Sequence, residues 1–379
     1  MTVSFERLDQ STLRDILALP GPVATVYAGR APEVAEEYQL DWPARWRPIG
    51  ENLRRTGADD ASVAALEGAV ASLASARAAH AMTEVAAFAA AGRVLGVFPA
   101  PGADWADWGG SCAPAHVVPL LRWAQERPPY VVVVTDRAGA EVEAFAGAGA
   151  AGHTYTVRGP DDAIEVVVPP GFTSQRRVRR RAEDSWRHNA AAVAEATARA
   201  LERVGARLLV VSGDVRAVRL LEERLPERIR LEVTVSHIRG SRAADGSQHW
   251  RAEAVAELVH RHAARERSRL LHELDDHRGP GGLGVEGEEP TLQALAAARV
   301  RTLLVAPTGA DDPRQAWFGN GGPEVLTAAR PRPPWSRPRR GPLLDVAVRS
   351  AALTGADVRV VPWQSGAPAE GLGGICRYR

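Results

Sequence analysis

"YVVVVTDRAGAEVEAFAG", residues 130–147, is the stretch on which the fold turns. Its valine run predicts an apolar strand, and Asp136 to Gly139 supply turn chemistry. Val142 and Ala144 then alternate with Glu141 and Glu143, the period of two of a return strand. Downstream, "HTYTVRG" (153–159), "AIEVVVPP" (163–170), "RLLVVSG" (207–213) and "RLEVTVS" (230–236) read as further strands. Helical patterns over 183–204, 215–225 and 249–274 separate the later ones. Strands alternating with helices of that length predict an open α/β sheet flanked by helices.

Upstream, "VATVYAG" (23–29), "EVAAFAA" (84–90) and "RVLGVFPA" (93–100) are strand candidates, and residues 46–55 and 60–80 are helical. The second helix places Val63, Leu66, Val70 and Leu73 three and four residues apart. This is a small α/β domain bordered by Pro128-Pro129. Glycines 279, 281, 282, 284 and 287 mark a second border. Beyond it a helix-then-strand order occurs over 291–309 and again over 343–363, with Leu344, Ala347, Val348, Ala351 and Ala352 on one helix face. Between these, "RPRPPWSRPRRG" (330–341) is too rich in proline for a helix and predicts an extended or mobile loop. The domains read from the sequence are therefore 1–128, 129–278 and 279–379.

Composition narrows the function classes. At 379 residues, 45% hydrophobic and 25% charged, the chain has the make-up of a folded protein of two or three domains. No apolar run approaches the ~20 residues that cross a bilayer. The start, "MTVSFERLDQ", lacks the apolar core of a signal peptide, so a cytoplasmic location is expected. Cys112 and Cys376 stand far apart and imply neither a disulfide framework nor a cysteine zinc site. No pair among His188, His260, His262, His272 and His277 has carboxylate or cysteine neighbours at a spacing that makes a convincing metal site. Ser212-Gly213-Asp214 is a strand-to-helix turn without the glycine pattern of a phosphate loop, and no metal or cofactor is expected. Trp42, Trp46, Trp105 and Trp108 are read as packing residues rather than base-stacking ones.

Charge is unevenly spread. The net charge is +1, every basic residue is arginine, and the intervals between Glu165 and Glu183 and between Glu324 and Asp345 hold five arginines each and no acid. The first interval contains the strongest candidate site. After Pro169, Pro170 and Gly171 come Phe172, Thr173, Ser174 and Gln175, then Arg176, Arg177, Arg179, Arg180 and Arg181, and a long alanine-rich helix follows. The positive end of that helix would face back toward the basic loop 169–181 and strengthen its attraction for anions. Two readings stay open: RNA phosphate contacts, or a solvated helix start salt-bridged by Glu183 and Asp184.

The series 130–147, 153–160, 171–195 and 207–214 resembles the middle domain of archaeo-eukaryotic release factors and Pelota. "LGVEGEEPTLQALAAARVRTLLV" (283–305) and the terminal "GLGGICRYR" (371–379) are similar to their third domain. The arginine-rich loop is closest in character to the bacterial, especially actinobacterial, branch, which includes relatives of the ribosome hibernation factor Balon. The resemblance implies a three-domain protein that sits in the ribosomal A site as a monomer. The 70S ribosome would be its partner through rRNA and P-site tRNA, with a translational GTPase as a further candidate. Release factors carry Gly-Gly-Gln at the loop tip; here Gly171, Phe172 and Thr173 stand there, followed by Ser174 and Gln175. That departure implies a non-enzymatic factor occupying idle ribosomes, with Gly171 to Gln175 at the tip and the five arginines on RNA phosphates. The alternatives are a ribosome-rescue peptidyl-tRNA hydrolase using Gln175, and a general RNA-binding protein.

Overall fold

The computed structural model describes residues 10–29, 42–76, 84–148, 152–158, 175–240, 248–308, 312–330, 332–333, 335–364 and 366–379. In chain order the first segment has α1 (Gln10–Ala18), β1 (Val23–Ala28), α2 (Trp42–Arg55), α3 (Asp60–Ala76), β2 (Val85–Ala90), β3 (Arg93–Pro99), β4 (Trp108–Cys112) and α4 (Val118–Gln125). The middle has β5 (Tyr130–Thr135), β6 (Gly139–Phe145), β7 (His153–Arg158), α5 (Gln175–Val204), β8 (Leu208–Gly213), α6 (Val215–Arg224), α7 (Glu227–Glu232), β9 (Thr234–His237) and α8 (Gln248–Asp276). The last has β10 (Gly284–Glu286), α9 (Glu288–Ala296), β11 (Val300–Val305), β12 (Gln315–Phe318), β13 (Val325–Thr327), β14 (Arg339–Pro342), α10 (Leu343–Leu353), β15 (Asp357–Val360) and β16 (Leu372–Cys376). The candidate strand 163–170 and the residues Gly171, Phe172, Thr173 and Ser174 lie outside the described residues.

These elements form a mixed α/β protein with four sheets, divided into two compact units, residues 126–265 and residues 1–125 joined with 266–379. The unit border falls within α8. In the 126–265 unit the strand order is β7-β6-β5-β8-β9. The hairpin β5–β6 and the pair β6–β7 are antiparallel, whereas β5–β8 and β8–β9 are parallel. Alternation sorts the valines of β5: Val131 and Val133 pack with Val193, Ala194, Leu201 and Leu221 of α5 and α6. Val132 and Val134 pack with Val255 and Val259 of α8 on the other face. Four valines in succession are thus a strand with helices on both faces. The reading of 230–236 as one strand needs correction, because its first residues are the end of α7 and only Thr234–His237 pairs with β8.

The other unit joins residues far apart in the chain. A four-stranded antiparallel sheet, β3-β2-β1-β4, is covered by α2 and α3. A second sheet, β10-β16-β11-β15, and a third, β13-β12-β14, come from the last segment. Gln125 on α4 donates to the Val358 carbonyl at 2.7 Å and accepts from the Val360 backbone N–H at 2.9 Å, so α4 is bonded to β15. The tryptophan rings have intramolecular partners: Trp42 lies against Trp46, and Trp105 and Trp108 flank Tyr27.

His116 Nδ1 lies 2.9 Å from the 98%-buried Asp345 carboxylate on α10, and the Tyr27 hydroxyl donates to the His116 carbonyl at 2.6 Å. Burial opposes charge on His116, but the negative charge of Asp345 and its hydrogen bond outweigh it and raise the pKa. Burial, reinforced by Asp345, pushes the neighbouring Cys112 thiol up to about 12, which leaves it a poor nucleophile. A histidine held protonated more firmly when folded stabilises fully below its unfolded value of 6.5. That stabilisation disappears as pH rises through the raised folded value. Raising the pH from 6.5 to 8 is expected to cost the wild type about 1 kcal/mol more than His116→Gln, a difference that urea midpoints will measure.

Candidate nucleic-acid interface

Topology fixes where the arginine run sits. β5, β7, β8 and β9 point the same way, because β6 is antiparallel to both of its neighbours. β7 therefore ends, and β8 begins, at opposite edges of the sheet. α5 connects them, so its N-terminus lies toward the carboxyl edge of the strands, the edge where open α/β sheets place ligands. The helix starts at Gln175, earlier than the predicted 183, which corrects the reading of 176–181 as loop. Arginine is a good helix former, and no glycine or proline follows Gly171 to stop the helix from extending backward. Gln175, Arg176, Arg177, Arg179, Arg180 and Arg181 thus occupy its first two turns.

Trp186 shows where α5 leaves the sheet. Its ring, 6% exposed, packs under the Arg137 guanidinium at 4.6 Å and near that of Arg216 at 5.5 Å. Arg137 follows β5 and Arg216 follows β8, so Trp186 is level with the carboxyl edge. The eleven residues from Gln175 to Trp186, at 1.5 Å each, carry the helix start ~16 Å past that edge. This length projects because a 30-residue helix is about 45 Å long and a six-residue strand about 20 Å.

Local hydrogen bonds hold the base of the projection. Asn189 Nδ2 donates to the Arg137 carbonyl at 2.9 Å, and Asp136 Oδ1 accepts from the backbone N–H groups of Ala138 and Gly139. Asp214 caps α6 by accepting from Arg216 N and Ala217 N, and it lies 3.3 Å from Arg137. Among the described residues the buried Trp186 Nε1 has no hydrogen-bond partner.

Four exposed arginines line the same edge: Arg158 at the end of β7, Arg137 after β5, Arg216 after β8 and Arg239 after β9. With strands about 4.8 Å apart, they span roughly 19 Å across five strands. The positive ends of α5 and α6 point out of this edge as well. These four were missed in the sequence because they are 21 to 58 residues apart and form no run. The available signal was positional: each terminates a strand or lies within three residues of a strand end. Arg187, further along α5, is paired with Asp184 at 3.4 Å. Among the described residues no group of acidic, histidine or cysteine side chains could hold a metal ion, and no helix is long and apolar enough to cross a membrane.

A mixed-sheet α/β unit with a basic carboxyl edge and a projecting arginine helix is therefore the class of domain that these residues define. Residues 129–280 match bacterial archaeo-eukaryotic release factor family 2. It is 27% identical over 305 residues, 78% of each chain, to an uncharacterized protein of Mycobacterium tuberculosis H37Rv. Among solved structures, it is similar to the archaeal translation termination factor aRF1 at 16% identity, covering 97% of this chain and 96% of that one, with a TM-score of 0.24. It is also similar to the ribosome-bound archaeal Pelota and ABCE1 structure at 12% identity, covering 100% and 96%, with a TM-score of 0.41.

Proposed function

We propose that this protein is a ribosome-associated factor that occupies the A site of idle ribosomes without hydrolysing peptidyl-tRNA. The observation that carries this reading is the arginine run placed on a helix that projects past the sheet edge, in a sequence that has Gly-Phe-Thr at 171–173 in place of Gly-Gly-Gln. The match of residues 129–280 to a release factor family supports a ribosomal context for this reading. In this reading a three-domain, monomeric, cytoplasmic protein uses residues 129–278 to reach toward the peptidyl-transferase centre. Arg176, Arg177, Arg179, Arg180 and Arg181 hold rRNA or tRNA phosphates, with the sheet-edge arginines behind them. Residues 279–379 would face a delivering GTPase.

Catalysis at a tip requires a group placed against the ester of peptidyl-tRNA. Gln175 is the first residue of α5, where the helix constrains its backbone, and Phe172 and Thr173 offer neither glycine freedom nor a carboxamide. Co-sedimentation with vacant 70S ribosomes, read beside release of labelled peptide from stalled complexes, tests the reading. Binding without release is the expected result. Release that is lost in Gln175→Ala would replace it with ribosome rescue, and absence of binding would remove the protein from translation.

A further inference from the structure

The sheet β13-β12-β14, in the unit that contains the chain's two terminal segments, carries a second basic surface that the proposed function does not use. Alternation turns Ala316 and Phe318 of β12 inward and leaves Gln315 and Trp317 outward. The register sets Trp317 beside Leu326 on one neighbour and Arg340 on the other. The Arg340 guanidinium lies 4.3 Å from the Trp317 ring centroid, and Trp317 Nε1 donates to the Arg330 carbonyl at 3.3 Å, which fixes the ring.

Around Arg340 this surface carries arginines without acidic partners among the described residues. Arg332, Arg337 and Arg340 are exposed and Arg339 is half-buried. Among the described residues none of the four forms an ion pair, while Arg330 is neutralised by Glu289. Among the described residues of this stretch, Pro333 is buried, Trp335 is half-buried, and Arg337 takes the left-handed region at φ 52. Arg339 and Arg340 are presented from the paired strand β14, which lowers the ordering cost of meeting a ligand.

Uncompensated arginines beside an outward tryptophan match what a single-stranded nucleic acid offers, a row of phosphates and bases with open faces. We propose that this face binds single-stranded RNA. Phosphates meet Arg332, Arg337 and Arg339, and a base stacks on the outer plane of the Arg340 guanidinium, whose inner plane rests on Trp317. An acidic protein segment would satisfy the charges but not use the stacked plane, so RNA is the partner that the whole arrangement favours.

Anisotropy of a fluorescein-labelled twelve-nucleotide oligouridylate with the full chain, titrated at 50 to 200 mM salt, tests this without a ribosome, so its outcome is separable from that of the A-site reading. Arg332→Ala/Arg337→Ala/Arg339→Ala is expected to lower the log–log salt slope by about 2 and to weaken binding at least tenfold. Trp317→Ala is expected to weaken it roughly tenfold through loss of the stacked plane. Thermal unfolding of both variants, with Arg340→Lys as the conservative control, separates misfolding from lost contact. Wild-type slope and affinity in the triple variant, or loss of all binding only when the α5 arginines are removed, would overturn the proposal. So would equal competition by polyglutamate together with no effect of Trp317→Ala.

Discussion

Replacing Arg176, Arg177, Arg179, Arg180 and Arg181 together with glutamine is expected to abolish most of the salt sensitivity of ribosome binding. Each phosphate neutralised contributes ~0.7 to the log–log salt slope on single-stranded RNA, so five contribute about 3.5. Between 50 and 200 mM salt the wild type should then lose roughly a hundredfold in affinity that the variant does not lose. Glutamine is nearly as good a helix former as arginine, so α5 keeps its length and the change isolates charge. Sedimentation across a salt series, with circular dichroism as the folding control, measures both slopes. Equal slopes would mean that the run is a solvated helix start and that the sheet-edge arginines carry whatever binding remains.

The largest effect on stability is expected at Gly213. This residue ends β8 with φ 129, and a Cβ there would fall 1.8 Å from the Thr135 carbonyl oxygen of β5. The contact is with backbone, so a side-chain rotation cannot relieve it. Moving β8 away would break the Asp214 N–H bond to that same carbonyl at 3.0 Å and displace the carboxylate that caps α6. Strain and overpacking together set the cost of Gly213→Ala at about 3 kcal/mol, or a fall in melting temperature near 10 °C. Gly205 provides the contrast: its φ is 65, but a Cβ there meets open space, and Gly205→Ala should cost only about 1 kcal/mol. If the two variants melt alike, the close approach of β8 to β5 is not what holds this edge.

The middle strands were legible because valine runs and strict alternation leave few other structures for residues 130–147. The start of α5 was not: five arginines within six positions read as a solvent-exposed loop, and only the absence of a breaker after Gly171 pointed to helix. β12, β13 and β14 are three or four residues long and lie among glycine and proline, so no period can establish itself within them. Residues 339–341, expected in a loop, belong to a strand because β12, some 20 residues earlier, offers a partner. The pairing of His116 with Asp345 is set by tertiary packing between residues 229 apart, beyond the reach of any local pattern.

That last distance has a consequence for biosynthesis. The first 125 residues belong to the same compact unit as residues 266–379, so α1 and α4 acquire α10 and β15 as neighbours only when the chain is almost finished. At ~5–20 residues per second, the wait is on the order of tens of seconds. Throughout it, the apolar side chains of α1 and α4 that will later be covered have no native cover, whereas residues 126–265 have their whole unit available as soon as they emerge. α1 and α4 are therefore expected to become protease-resistant only after residues 126–265 have done so.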